Sequence, residues 1–216
     1  MPVVRPSTPE GVVAAVAALV AAYPGRAVDS GSTPHAGWVR IVIDGARAAD
    51  PHGLAARVVA ALAPRRALHV RADRFWRPAS LRLEYGREDV DSWLDGWLDD
   101  DALRREVLDP FAATGRALPE LRDPLTDRSL RADVVQLPAD GVLVVSGSVL
   151  LGRGLPFDVA VHVRLSPAAL ARRTPADEAW TLPALERYAA ERDPEGVADL
   201  VVRADDPHHP ALVARD

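Results

Sequence analysis

The chain has 216 residues and a formal net charge of −5 at pH 7, and 26% of its residues are charged. This composition is typical of one globular domain and excludes a disordered or fibrous chain. All 26 basic residues are arginine, and cysteine is absent. An acidic chain predicts no nucleic-acid partner, because neutralising phosphates needs a basic face. The lack of cysteine excludes disulfides and favours a cytoplasmic location.

The first predicted elements are a helix and a loop. Thr8 and Pro9 are typical of a helix start, and the apolar residues after them predict a helix over 8–23. Residues 24–37 are rich in Gly, Ser and Pro, which indicates a loop. No apolar run approaches the roughly 20 residues that cross a bilayer, so no membrane is predicted as a partner.

Beyond residue 37, apolar strands alternate with helices. The predicted strands are 38–44, 67–72, 142–145, 158–165 and 199–203, and the predicted helices are 50–63, 101–111, 167–173 and 182–192. This alternation predicts an α/β fold with a three-layer, doubly wound parallel sheet. Ligands of such sheets bind at the carboxyl ends of the strands, which here are Asp44-Gly45, Asp73, Ser146-Gly147 and Arg164.

Five segments near these strand ends resemble the uridine kinase family, within the larger phosphoribulokinase and uridine kinase group. The segments are Ile41–Gly45, Asp73–Pro78, Leu98–Pro110, Val142–Gly147 and Leu170–Arg173. The resemblance implies a P-loop nucleoside triphosphate hydrolase and kinase-like fold. We therefore predict a P-loop domain over residues 38–216, with residues 1–37 as an N-terminal helix and loop appendage.

The phosphate-binding loop departs from the family pattern. A working loop reads G-x-x-x-x-G-K-[ST], and its amides, lysine and hydroxyl hold the phosphates and Mg²⁺. Here Gly45 is followed by Ala-Arg-Ala-Ala and then Asp50-Pro51-His52, which replace the second glycine, the lysine and the hydroxyl residue. An Asp-Pro pair is a strong helix N-cap, so its carboxylate is expected to accept the amides that a phosphate would use. Arg47 is the loop residue that could still reach a phosphate.

A second position of the implied site has also lost its charge. Ser146 stands where the resemblance implies an acid that would hold Mg²⁺, and a neutral hydroxyl is a poor substitute for a carboxylate on a hard cation. The sequence therefore predicts a degenerate phosphate and Mg²⁺ site. We predict no metal ligand and no cofactor, and expect ATP and Mg²⁺ only if the donor site has been rebuilt.

The acceptor side keeps more of the family pattern. The resemblance implies that Asp73 is a general base on a sugar 5′-hydroxyl, that Asp99 binds ribose hydroxyls and that Trp76 is a wall of the base pocket. It also implies that Arg172 and Arg173 face the phosphates. Each polar residue has a structural alternative: Asp73 as a turn residue, Asp99 as a helix N-cap and the arginines as a charge complement to a helix C-terminus.

Three functions remain after these observations. The first is a uridine kinase-like protein that is not a competent ATP-dependent kinase and binds a nucleoside-like small molecule. The second is an active phosphotransferase whose rebuilt donor site uses Arg47, Arg172 and Arg173, with Asp73 as the base. The third is a scaffold or interaction subunit, with a homodimer as one form. The sequence leaves open whether the protein is an enzyme.

Overall fold

A computed structural model describes residues 3–23 and 37–214 of the chain. Its strands are β1 Val3–Pro6, β2 Val39–Gly45, β3 Ala67–Arg71, β4 Arg116–Ala117, β5 Val135–Gln136, β6 Val142–Gly147, β7 Val159–Arg164, β8 Leu200–Arg203 and β9 Ala211–Ala214. Its α-helices are α1 Pro9–Ala22, α2 Pro51–Ala61, α3 Ala79–Arg82, α4 Asp100–Leu103, α5 Asp109–Thr114, α6 Pro167–Arg173, α7 Leu182–Arg192 and α8 Pro194–Val197. Short 3-10 turns cover Arg47–Ala49, Ala72–Phe75 and Ala176–Thr181, and π-helical turns cover Ser92–Gly96 and Arg104–Leu108.

Seven of the strands form one sheet, in the order β1-β9-β8-β7-β2-β6-β3. The five strands from β8 to β3 are parallel, while β9 is antiparallel to β8 and β1 is antiparallel to β9. In this register Asp44 lies between Gly147 and His162, and Arg71 lies beside Ser146. The carboxyl ends of four neighbouring strands therefore meet at one edge of the sheet.

The core lies in two layers, one on each face of the sheet. Helices α1 and α2 cover one face through buried residues such as Val16, Val20 and Val58. The continuous helical segment from α4 to α5, together with α7, covers the other face through residues such as Phe111 and Tyr188. The nearly all-apolar strands follow from this arrangement, because both faces of the inner strands are removed from water.

The predicted α/β doubly wound fold is confirmed, with one correction to the sheet. The sheet is not wholly parallel, because β1 and β9 add two antiparallel strands at one edge. Residues 204–210 between β8 and β9 are too few for the crossover that a parallel pair requires. The sequence did not predict these two strands. Each has four residues, and all four residues of β1 are exposed, so β1 lacks the apolar run of a buried strand.

The predicted helix over 101–111 is longer in the structure, where it runs from Asp100 to Thr114 through a π-helical turn. The division at residue 37 stays a prediction about domains. On its N-terminal side, β1 joins the main sheet and α1 contributes Val12, Val16 and Val20 to the core. In the described part of the chain, no helix combines the length and apolar character needed to cross a membrane.

Candidate functional site

The loop after β2 begins where two strand ends approach each other closely. A side chain at Gly45 would place its Cβ 2.8 Å from the carbonyl oxygen of Val163 on β7, so only glycine allows the two strand ends to approach this closely. The chain then makes a 3-10 turn, in which Ala49 N–H donates to the Ala46 carbonyl and Asp50 N–H to the Arg47 carbonyl, at 2.8 and 3.0 Å. Two amides of the loop are thus bonded within the loop itself.

Asp50 connects this turn to α2 and caps the helix. Its backbone is left-handed, with φ 53° and ψ 56°, and its Oδ1 accepts the Gly53 amide at 2.9 Å. Pro51 follows at the first helical position and is buried. A Cβ at Gly53 would lie 2.0 Å from Asp50 Oδ2, so glycine there makes room for the carboxylate. The predicted N-cap pair is therefore present, with the carboxylate at the helix N-terminus.

His52, Ser146 and His69 form a chain of hydrogen bonds that links the start of α2 to β6 and β3. The Ser146 hydroxyl is fully buried, and it lies 2.6 Å from His52 Nδ1 and 2.7 Å from His69 Nε2. Burial lowers the pKa of His52 from its usual range, and burial lowers the pKa of His69 to about 4. Both rings are therefore neutral at pH 7. One ring accepts the hydroxyl hydrogen, and the other donates its N–H to the same oxygen.

Asp73 lies next to this chain, in the 3-10 turn after β3. Its carboxylate pairs with Arg71, whose Nη2 lies 2.5 Å and Nε 3.2 Å from the two carboxylate oxygens. Asp73 Oδ2 also lies 3.9 Å from His52 Nε2. The predicted base thus adjoins the end of the phosphate loop, and an arginine neighbour balances its charge.

Trp76 and Asp99 come together through the backbone. An isolated antiparallel bridge pairs Trp76 with Leu98, and the Asp99 amide donates to the Phe75 carbonyl at 2.9 Å. Asp99 Oδ1 accepts the Ala102 amide at 2.9 Å, so Asp99 caps α4 as the structural alternative predicted. Trp76 packs edge-on against Trp97, with ring centroids 5.0 Å apart. The segment from Asp73 to Trp76 is therefore joined through its backbone to the segment that carries Asp99.

Two of the three arginines that the sequence associated with phosphates bond to other groups in the described structure. Arg47 forms an ion pair with Glu178, from the 3-10 turn after α6. Arg173 donates to the Ala204 carbonyl at 2.9 Å, and Arg172 is exposed in the last turn of α6. The Arg47 contact joins the loop after β2 to the segment after α6, and the Arg173 bond joins α6 to the residue after β8.

A buried polar cluster on the other face of the sheet was missed by the sequence analysis. Asp44 is fully buried, and its Oδ2 lies 2.7 Å from His162 Nδ1 and accepts the Tyr188 hydroxyl at 3.0 Å. Its Oδ1 accepts the Leu150 amide at 2.8 Å. Burial raises the pKa of Tyr188. An acid at the end of an apolar strand was the available signal, but its partners are 106 to 144 residues away in the chain.

Among residues 3–23 and 37–214, no group of three or more His, Cys, Asp or Glu side chains is arranged to hold a metal ion. The two imidazoles at Ser146 form a hydrogen-bond network in which one nitrogen of each ring, His52 Nδ1 and His69 Nε2, is bonded to the serine hydroxyl.

Comparisons with known proteins agree with the fold. No protein-family model matches the sequence, and no curated protein matches it. A solved structure of a possible uridine kinase from Bacillus stearothermophilus matches with a TM-score of 0.66 and 16% identity, over 88% of this chain and 96% of that one. A candidate fructose transport system kinase from Silicibacter sp. TM1040 matches with a TM-score of 0.58 and 21% identity, over 88% and 98%.

At these identities the likeness shows the fold alone. The chain has an α/β fold of the P-loop kinase type, and the resemblance to uridine kinases is confirmed at the level of the fold. Function depends on the residues of the site rather than on the fold that carries them.

Proposed function

We propose that this kinase-fold protein does not transfer phosphate from Mg²⁺-bound ATP and instead binds a nucleoside-like small molecule. The observation that carries the proposal is that the residues at the phosphate and metal positions already form hydrogen bonds within the protein. Asp50 caps its own helix, and His52 bonds to Ser146, at 2.9 and 2.6 Å.

The phosphate position supports this proposal through its charge. The Asp50 carboxylate takes the Gly53 amide, and Pro51 has no amide hydrogen to offer. A phosphate docking here would meet an anion, and two unit charges about 4 Å apart repel by about 4 kcal/mol at an effective dielectric near 20. The helix N-terminus, which normally favours a bound anion, already has one from the protein.

The residues at the metal position also support the proposal. Mg²⁺ is bound in proteins by carboxylates, phosphates and water in octahedral geometry. Ser146 offers a neutral hydroxyl that is fully buried between two imidazole nitrogens, at 2.6 and 2.7 Å. These residues do not fit Mg²⁺, and we assign no step to that ion.

The acceptor side supports small-molecule binding. Asp73, Trp76 and Asp99 lie on adjoining segments, joined by the Trp76–Leu98 bridge and the bond from the Asp99 amide to Phe75. Asp99 uses one carboxylate oxygen for its helix cap, so the other can accept a ligand hydroxyl. The half-buried Trp76 ring supplies a flat apolar surface of the kind that a base stacks on.

Two other functions have less support. An active phosphotransferase with a rebuilt donor site needs Arg47, Arg172 and Arg173 at one phosphate, but Arg47 pairs with Glu178 and Arg173 donates to the Ala204 carbonyl. A scaffold or interaction subunit is the other alternative. The cytoplasmic location and the homodimer stay predictions.

Isothermal titration calorimetry with Mg²⁺-bound ATP tests the proposal. We expect no binding of ATP by the wild-type protein and binding of a nucleoside such as uridine. Asp73→Asn serves as the acceptor-side variant, which we expect to weaken nucleoside binding. Micromolar ATP binding together with phosphorylation of uridine would overturn the proposal and favour the phosphotransferase. Failure of every nucleoside and nucleotide to bind would favour the interaction subunit.

A further inference from the structure

Arg82, at the end of α3, is a buried cation enclosed by aromatic rings. Its side chain is only 8% exposed, and its guanidinium carbon lies 5.4 Å from the Trp76 ring centroid and 5.1 Å from that of Trp97. Two indole faces stabilise a guanidinium by cation–π attraction. Trp97 in turn contacts Trp180, 5.8 Å away, so this cluster also reaches the segment after α6.

Two hydrogen-bond donors of this cluster have no partner in the described structure. They are Arg82 Nε and Trp97 Nε1, and both atoms are buried. The Arg82 guanidinium donates from Nη2 to the Pro124 carbonyl at 3.0 Å, and no described carboxylate forms an ion pair with it. Burial lowers the pKa of Arg82. Asp127 raises this pKa, whereas Arg122 and Arg87 lower it further.

Such a pair of donors calls for an acceptor. Buried polar groups are nearly always hydrogen-bonded, and each buried donor left without a partner costs about 1–3 kcal/mol. Arg and Trp side chains can only donate, so they cannot satisfy each other. A carboxylate or phosphate has several acceptor oxygens at close range. Its oxygens can accept N–H groups at about 2.9 Å each and also balance the charge of the guanidinium.

We propose that Arg82 and Trp97 form an oxyanion-binding subsite, which takes the carboxylate or phosphate group of the small molecule that the protein binds. This proposal rests on the proposed function and names the class of ligand: a nucleoside-like molecule with an acidic substituent. The Trp76 ring joins the two parts of the site, because it contacts the guanidinium and also belongs to the segment that carries Asp73.

The half-buried Trp76 ring lies against the guanidinium. Because both donor atoms are buried, side chains around them would have to shift for an anion to bind there. The subsite lies beside α3, whereas the closed phosphate position lies at the start of α2. A ligand phosphate bound at Arg82 would thus be recognised without any contribution from the phosphate loop.

A matched set of probes tests the subsite. The whole protein is titrated with four probes: uridine, uridine 5′-carboxylate, uridine 5′-monophosphate and inorganic phosphate. Binding is measured by tryptophan fluorescence and by calorimetry. We expect the two anionic nucleosides to bind at least tenfold more tightly than uridine and to change the indole emission. Inorganic phosphate shows whether the anion alone is sufficient or the nucleoside part is also needed.

Two conservative variants assign the effect to the two donors. Arg82→Lys keeps the charge but removes Nε–H, and Trp97→Phe keeps the ring but removes the indole N–H. Each is expected to weaken the anionic probes about tenfold or more, as expected for the loss of one hydrogen bond to a charged group, and to leave uridine unaffected. Arg87→Lys, at an exposed arginine nearby, is the control and should bind as the wild type does.

The inference is overturned if uridine and its anionic derivatives bind equally, or if both variants bind the anionic probes as tightly as the wild type. Small-molecule binding would then stand without the subsite. If no probe binds, the subsite is wrong as well, and the titration with Mg²⁺-bound ATP still decides separately whether the donor site is closed.

Discussion

Replacing Asp50 tests the helix cap that, in the proposed function, closes the phosphate position. Asp50→Ala removes the bond from Oδ1 to the Gly53 amide and leaves a left-handed residue with a Cβ. An N-cap acid replaced by alanine costs about 1 kcal/mol, and the lost interaction with the helix dipole adds about 0.3–1 kcal/mol. We therefore expect Asp50→Ala to lower the free energy of unfolding by about 1–2 kcal/mol.

A second variant, Asp50→Gly, distinguishes the effect of losing the cap from the effect of backbone strain. It loses the same side-chain bond, but glycine adopts φ 53° without the left-handed penalty of about 1–2 kcal/mol that other residues pay. Glycine is also a tolerated N-cap, within a few tenths of a kcal/mol of aspartate. We therefore expect Asp50→Gly to be as stable as the wild type within about 0.5 kcal/mol, although it too has lost the carboxylate.

Urea denaturation and thermal melting measure both variants. For a chain of this size, 1 kcal/mol corresponds to about 2–4 °C in Tm, so Asp50→Ala should melt about 2–8 °C below Asp50→Gly. Calorimetry with ATP then asks whether Asp50→Gly, which frees the Gly53 amide, gains any phosphate affinity. Equal stability of the alanine and glycine variants would refute the capped, left-handed geometry on which the closed phosphate position depends.

Three further predictions concern the neighbouring contacts. Ser146→Ala leaves two imidazole nitrogens without their common partner. We expect urea denaturation to show a free energy of unfolding about 1–3 kcal/mol lower than that of the wild type. A variant as stable as the wild type would contradict the hydrogen-bond network. Burial lowers the pKa of His69 to about 4, below the value of 6.5 in the unfolded chain. Because the unfolded state then binds protons more tightly, the stability of the protein should fall as the pH is lowered from 6.5 towards 4. His69→Gln should flatten that fall in denaturation curves at stepped pH, whereas an exposed His208→Gln control should not. Arg47→Ala breaks an ion pair whose arginine is 80% exposed, so the free energy of unfolding should change by less than about 1 kcal/mol. Hydrogen exchange at residues 176–181 should accelerate, and an unchanged exchange rate would contradict the contact with Glu178.

Local signals explain which elements the sequence predicted well. The predicted helices 167–173 and 182–192 coincide with α6 and α7, and in α6 the Ser166 hydroxyl accepts the Ala169 amide while Pro167 occupies the first turn. The parallel inner strands were likewise marked by apolar runs between turn residues. These signals act within a few residues of chain, so no knowledge of distant partners is needed to see them.

The edge of the sheet gave weaker signals. β1 and β9 have four residues each, and β1 lacks the apolar run of a buried strand because all of it is exposed. The pairing of β9 depends on the short connection after β8, and the pairing of β1 depends on contact between residues 3–6 and 211–214. A pattern read along the sequence does not contain that contact.

By itself, the sequence determined that an acid and a proline begin α2 and that Ser146 ends an apolar strand, because capping and strand signals are local. Only the tertiary structure decided that Ser146 lies between His52 and His69, which are 94 and 77 residues away in the chain. Strand register and helix packing bring those side chains within 2.7 Å, and the same packing buries Arg82 against Trp97. Residue types and spacing identify the groups that can hydrogen-bond, whereas the packed core determines which of them meet and which remain without a partner.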